Sequence, residues 1–127
     1  MLSVKKKKKF SLIGIILGLS TLGFFVHDYL AGVLKVFPNP GIGFGLSCNF
    51  LVCVAFLALI VMMVLFWKRQ DFGLMIIIIG GLINFIDRIV FGHVRDYWNF
   101  WFFYNNLADL IIVFGVLYSL VHLWKKR

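Results

Sequence analysis

The 127-residue chain has room for one domain, yet 62% of its residues are hydrophobic and 14% charged, and its mean hydropathy is +0.99. A soluble domain needs more charge to cover its surface, so this composition excludes one and points to an integral membrane protein. The net charge of +8 does not indicate nucleic acid, because the basic residues lie in terminal and loop clusters with no soluble domain to present them.

Residues 5–9 are five consecutive lysines, and the uncharged run from 10 to 26, at about 1.5 Å per residue, crosses most of a hydrocarbon core of roughly 30 Å. A first transmembrane helix is expected over 10–30. A basic start and an apolar run also describe a secretory signal peptide, but no small-x-small cleavage site ends this one. His27 and Asp28 follow directly, and retention as an anchor is expected.

No charge occurs from 36 to 67, but Pro38, Asn39, Pro40, Gly41, Gly43 and Gly45 crowd the first part and favour turns and extended backbone. The second helix is therefore expected over 48–67. Cys48 and Cys53 have neither CxxC pairing nor metal spacing and read as small apolar packing residues. Lys68, Arg69, Gln70 and Asp71 make a tight polar turn. A third helix is expected over 72–91, interrupted only by Asn84, Asp87 and Arg88 near its far end, and after an aromatic segment a fourth over 105–124. The whole is one membrane domain with four transmembrane helices.

Orientation follows from the basic residues. The N-terminus, the Lys68 turn and the C-terminus hold ten Lys and Arg, and the opposite side only Lys35, Arg88 and Arg95, which makes both termini cytoplasmic. Asp28, Asp87, Asp96 and Asp109 then fall at the outer face. Trp67 and Trp124 sit at the inner interface, Trp98 and Trp101 at the outer, as in aromatic belts.

Carboxylates inside a membrane segment cost several kcal/mol, roughly 2.5 to 3.5 at a helix centre, and are functional candidates by default. Asn84, Asp87 and Arg88 share one helix face, which must turn into the bundle; for Asp87 and Arg88 a mutual pairing that fixes register is the expected role. Gly80 and Gly81 allow a neighbouring helix to approach. Asp96 and Asp109 have no basic partner at helical spacing, and the connection between them folds back to bring both to one membrane face. Two carboxylates sharing a site cannot both ionise cheaply; one keeps its proton, and the pair can activate water and protonate a departing amide. That is aspartic peptidase chemistry, with no cofactor. The scattered His27, His93 and His122 argue against a metal, and the serines lack a His and Asp constellation.

Four segments carry a family resemblance. Asn39-Pro40-Gly41-Ile42-Gly43-Phe44-Gly45 resembles the N-x-G-x-x-F-G motif of lipoprotein signal peptidase, also called signal peptidase II. The run from Gly80 through Asn84 to Asp87 and Arg88 resembles its G-x-x-x-N-x-x-D-R motif. Gly92-His93-Val94-Arg95-Asp96-Tyr97 is similar to the G-x-V-x-D-F block with Tyr97 for Phe, and Asn106-Leu107-Ala108-Asp109 to N-x-A-D. The order agrees too, so the resemblance covers nearly the whole chain.

The resemblance implies a monomeric intramembrane aspartic endopeptidase of the bacterial cytoplasmic membrane. It would remove signal peptides from diacylglyceryl-modified prolipoproteins by cutting before the lipidated cysteine at the extracytoplasmic face. By motif position the catalytic pair is Asp96 and Asp109; Asn39, Asn84, Arg88 and Asn106 line the site, with Asp87 and Asp28 in support. It also implies a small extracytoplasmic sheet after the first helix, and membrane lipid as a partner. Phe91, Trp98, Trp101 and Phe102 are placed to meet the substrate's acyl chains. Departures occur: Asp28 and Lys35 are seven apart where the family has D-x-x-x-K, Ile83 stands for a usual Gly, and Asn105 for a Phe. The 13 residues from Asp96 to Asp109 imply a trimmed outer loop.

The competing class is a non-enzymatic membrane protein, an inactive relative that binds signal peptides or a small scaffold subunit, in which the polar residues serve packing. A proton or ion pathway would spread its carboxylates across the membrane depth, whereas these cluster at one face.

Overall fold

The computed structural model describes residues 3–39, 48–101 and 103–127, and for Cys48 and Asn49 the backbone alone. Residues 40–47, which hold most of the Gly and Pro motif, and Phe102 lie outside it, as does the side chain of Cys48. Among the described residues four helices are long and apolar enough to cross a membrane: α1 (Val4–Val33), α2 (Cys48–Arg69), α3 (Phe72–Phe91) and α4 (Leu107–Lys125). The third starts and ends where the sequence places it. The first starts earlier, because the Ser3 side chain caps it by accepting from Lys6 N at 3.4 Å and lysines favour helix. Its 30 residues span about 45 Å, more than the hydrocarbon core, so the lysine turn projects beyond it.

Helix α3 is the centre of the bundle and α1, α2 and α4 pack around it. Ile78 and Ile83 of α3, Ile16 of α1, Phe66 of α2 and Ala108 of α4 meet in one buried cluster. Outward-facing Leu57, Val61, Leu120 and Val121 are exposed, as lipid-facing residues must be. Gly80 sets the closest approach: a Cβ there would lie 2.7 Å from the Ala108 carbonyl oxygen, so α3 and α4 touch backbone to backbone. At one end of the bundle Lys9 Nζ donates to the Trp67 carbonyl at 3.0 Å, and the Asp71 carboxylate, which caps α3, accepts from Ser119 Oγ of α4 at 3.0 Å. The N-terminus, the turn after α2 and the end of α4 are therefore on one side.

The other end carries two small antiparallel pairs. β1 (Phe37–Asn39) pairs with β2 (Val94–Asp96), Phe37 opposite Asp96. β3 (Trp98–Phe100) and β4 (Phe103–Asn105) form a hairpin with Trp98 opposite Asn105. The fourth helix thus begins two residues later than expected. Asn105 ends a strand, and Asn106, at φ −137° and ψ 178°, is an extended N-cap rather than a helical residue. Gly92 stops α3 in the left-handed conformation, at φ 76°, and turns the chain into β2.

Candidate active site

Everything that converges at this end is anchored by the start of α4. Asn106 and Asp109 form a reciprocal cap: Asp109 N donates to Asn106 Oδ1 at 3.1 Å, and Asn106 N donates to Asp109 Oδ2 at 3.3 Å. The Asn106 amide nitrogen then reaches in two directions, to Asp96 Oδ1 at 2.8 Å and to Asn84 Oδ1 at 3.1 Å. Asn84 in turn donates to Asp109 Oδ1 at 2.9 Å, and Asn39, across the strand pair, donates to Asp96 Oδ2 at 2.9 Å. The structure therefore brings Asp96 and Asp109 into one network through Asn84 and Asn106, with Asn39 alongside. These two carboxylates are held by amides and have no ion pair among the described residues.

Asp96 is buried, 1% exposed, while Asp109 is half-buried. Burial pushes the Asp96 carboxyl above its ordinary value; the Asn39 and Asn106 amides oppose this, the Asp109 charge adds to it and the Arg88 charge opposes it. A site of this kind retains a proton on one carboxyl while offering the other as a base. Among the described residues no three His, Cys, Asp or Glu side chains converge as a metal would require.

Asp87 belongs to a second cluster, and its partner corrects the sequence reading. It pairs with Arg95 and His27, not with Arg88: Arg95 Nη2 lies 2.8 Å from Oδ1, Arg95 N donates to Oδ2 at 3.0 Å, and His27 Nε2 lies 2.8 Å from Oδ2. Consecutive residues on a helix point about 100° apart, so Asp87 and Arg88 cannot face each other, whereas the Gly92 turn carries Arg95 back over Asp87. Arg95 also donates to Asp28 Oδ1 at 2.7 Å and lies 3.9 Å over the Phe91 ring. Asp28 is thus at the rim of this cluster, half exposed and apart from Asp96 and Asp109. Arg88 is half-buried, and its side chain forms no hydrogen bond or ion pair among the described residues, although its charge acts on Asp96.

His27 and Tyr97 are buried site residues that the sequence reading passes over. His27 entered only as a poor metal ligand, and Tyr97 only as a substitute for Phe. A histidine beside an aspartate in an otherwise apolar helix was the available signal, since lipid provides no partner for it. His27 Nδ1 and the Tyr97 hydroxyl are 3.0 Å apart, and that hydroxyl accepts from Leu107 N at 3.0 Å.

The chain matches the Signal peptidase (SPase) II family over residues 6–125. It is 32% identical to the lipoprotein signal peptidase of Bartonella quintana, covering 89% of this chain and 85% of that one. With the Streptococcus agalactiae lipoprotein signal peptidase it shares 37% identity over 81% of this chain and 68% of the relative. Against that of Bartonella tribocorum the match, at 34% identity, spans 59% of the relative's length. Two solved bacterial membrane enzymes share the fold, with TM-scores of 0.70 and 0.73 at 21% and 19% identity, covering 89% and 91% of this chain and 89% and 96% of theirs. A match over nearly all of the chain, on a fold of four membrane-crossing helices, shows that this multi-pass bacterial membrane protein belongs to the signal peptidase II family.

Proposed function

We propose that the protein is an intramembrane aspartic endopeptidase that removes signal peptides from diacylglyceryl-modified prolipoproteins, with Asp96 and Asp109 as the catalytic pair. The observation that carries this is the joining of the two carboxylates through Asn84 and Asn106 at one end of the bundle, in a chain of the signal peptidase II family. One carboxylate takes a proton from water, which attacks the scissile carbonyl. The other, protonated, gives its proton to the departing amide nitrogen of the lipidated cysteine, so that the signal peptide leaves with a new carboxylate. Asn39, Asn84 and Asn106 orient the pair. Arg88, unengaged among the described residues, is free to hold a substrate carbonyl near Asp96. Asp87 works through Arg95 as a support, and Asp28 stabilises Arg95 from the rim.

The lysine-rich end of the bundle is cytoplasmic by the distribution of positive charge, so the site faces the extracytoplasmic side of the bacterial cytoplasmic membrane. All residues of the pair and its amides come from one chain, in keeping with a monomer.

The test is cleavage of a lipidated prolipoprotein by the purified protein in detergent, with chelator present. Wild-type protein is expected to cut before the lipidated cysteine, and Asp96→Asn and Asp109→Asn each to abolish cutting while the protein still inserts and folds. Substantial activity in either variant would sink the two-carboxylate mechanism. A protein that only held signal peptides would leave the precursor whole.

A further inference from the structure

The hydroxyl of Tyr97 meets the first amide of the helix that carries Asp109. Leu107 is the first residue of α4, and its N–H is one of the donors a helix leaves without an internal acceptor. It donates to the Tyr97 oxygen at 3.0 Å, and two residues earlier the Asn105 carbonyl accepts from Tyr97 N at 3.1 Å. Tyr97 therefore holds the start of α4 through both backbone and side chain, between Asp96, its neighbour in sequence, and Asp109, two residues past Leu107.

From that amide a chain of hydrogen bonds runs inward through Tyr97 and His27 to Asp87. Leu107 N–H can only donate, so the phenol oxygen accepts and its own hydrogen is free for His27 Nδ1 at 3.0 Å. When the phenol hydrogen goes to Nδ1, Nε2 carries the hydrogen that goes to Asp87 Oδ2 at 2.8 Å, and every group of the chain is used. Asp87 is fixed in turn by the Arg95 guanidinium and main-chain N–H. His27 and Asp87 are both fully buried and Tyr97 is 6% exposed, so these links run between groups shielded from bulk water. Burial also raises the Tyr97 phenol above its usual range, which keeps the hydroxyl a donor.

We propose that His27 and Tyr97 form a positioning pair that sets the separation and orientation of Asp96 and Asp109 by clamping the first amide of α4 to the residue that follows β2. The proposal rests on the reading of those two carboxylates as the catalytic pair. Neither residue touches substrate; both act through the helix start.

The test uses full-length protein in detergent with the lipidated precursor. Tyr97→Phe removes one oxygen and leaves the ring, and it is expected to lower kcat about tenfold with KM within about twofold, as loss of one buried hydrogen bond in the aligned state would. His27→Phe should lower kcat at least as far, and the double variant no further than His27→Phe alone, because the two act as one unit. Asp96→Asn runs beside them. Wild-type kcat in Tyr97→Phe with Asp96→Asn inactive overturns the positioning pair and leaves the catalytic carboxylates standing. Activity in Asp96→Asn overturns both. Additive losses in the double variant would show two separate roles and overturn the pair. Tyr97→Phe decides by itself if His27→Phe does not fold.

Discussion

Asp96 has both carboxylate oxygens engaged by amide hydrogens, from Asn39 and Asn106, and no cation among the described residues bonded to either. Burial therefore governs it and holds its carboxyl above the ordinary value, with the Asp109 charge contributing in the same direction. A carboxyl raised in the folded protein binds its proton more tightly there than in the unfolded chain. It adds stability in acid, below the unfolded value, and that contribution is lost as pH rises through the raised one. Thermal unfolding across pH should thus show wild-type protein losing stability relative to Asp96→Asn as the pH climbs through that window; a constant difference would contradict the assignment. Cleavage is expected to fall in acid, where the base is protonated, and in alkali, where the acid is spent. The alkaline limb should lie above the usual carboxylate range, and both apparent values belong to the pair.

Helix α4 contributes Asn106 and Asp109 to the site, while α3 contributes Asn84 and the surface against which α4 is set. Their spacing depends on Gly80. A Cβ there would meet the Ala108 carbonyl oxygen and Ile112 Cγ1, each at 2.7 Å, and the first of these is backbone that cannot move aside. At Gly81 the nearest atom is the end of the Leu59 side chain at 3.0 Å, which can rotate away. Gly80→Ala is therefore expected to cost about 1–3 kcal/mol of stability by overpacking, while Gly81→Ala stays near neutral because alanine favours helix. Gly80→Ala should also slow cleavage, since Asp109 lies one residue from Ala108 and must shift against Asn84. Unfolding in detergent and the cleavage rate of both variants check this; equal effects would remove the close approach from the account.

For the molecule as a whole, the depth of the candidate site limits what the proposed peptidase can cut. Asp109 is the third residue of α4, within about one turn (~5 Å) of the helix end, so the scissile bond must be presented close to the membrane interface. An apolar groove of about 520 Å³ between α1, α3 and α4, lined in part by Leu22, Val26, Ile79, Leu107 and Leu110, opens next to that first turn. Trp101, at φ 58° and 92% exposed, tips the β3–β4 hairpin on the same side, whereas Phe91 lies beneath Arg95. Two acyl chains on the substrate cysteine would fix its depth, since each buried methylene contributes about 0.8 kcal/mol. The lipidated precursor is expected to be cut and the unlipidated one not, measured in the same detergent. Equal rates would remove the lipid from recognition.

The sequence by itself determined the membrane class, the four helices and the end of the bundle at which the polar residues gather. Those depend on local quantities: the length of an apolar run, the position of a Gly or Pro, the count of lysines. The third helix is legible to the residue because Asp71 and Gly92 mark its two ends. That Asn39, Asn84, Asp96, Asn106 and Asp109 gather in one cluster is legible from the motifs that contain them, but the wiring of that cluster is not. Only the tertiary structure decided that Asp87 pairs with Arg95 and His27 instead of Arg88, that residues 103–105 are strand, and that His27 and Tyr97 are linked. Each of those contacts joins residues on different elements, up to 70 positions apart, and those of Asp87, His27 and Tyr97 are selected by which donor meets which acceptor once the helices have packed. A pattern read along one helix contains no information about the partner that another helix will bring to it.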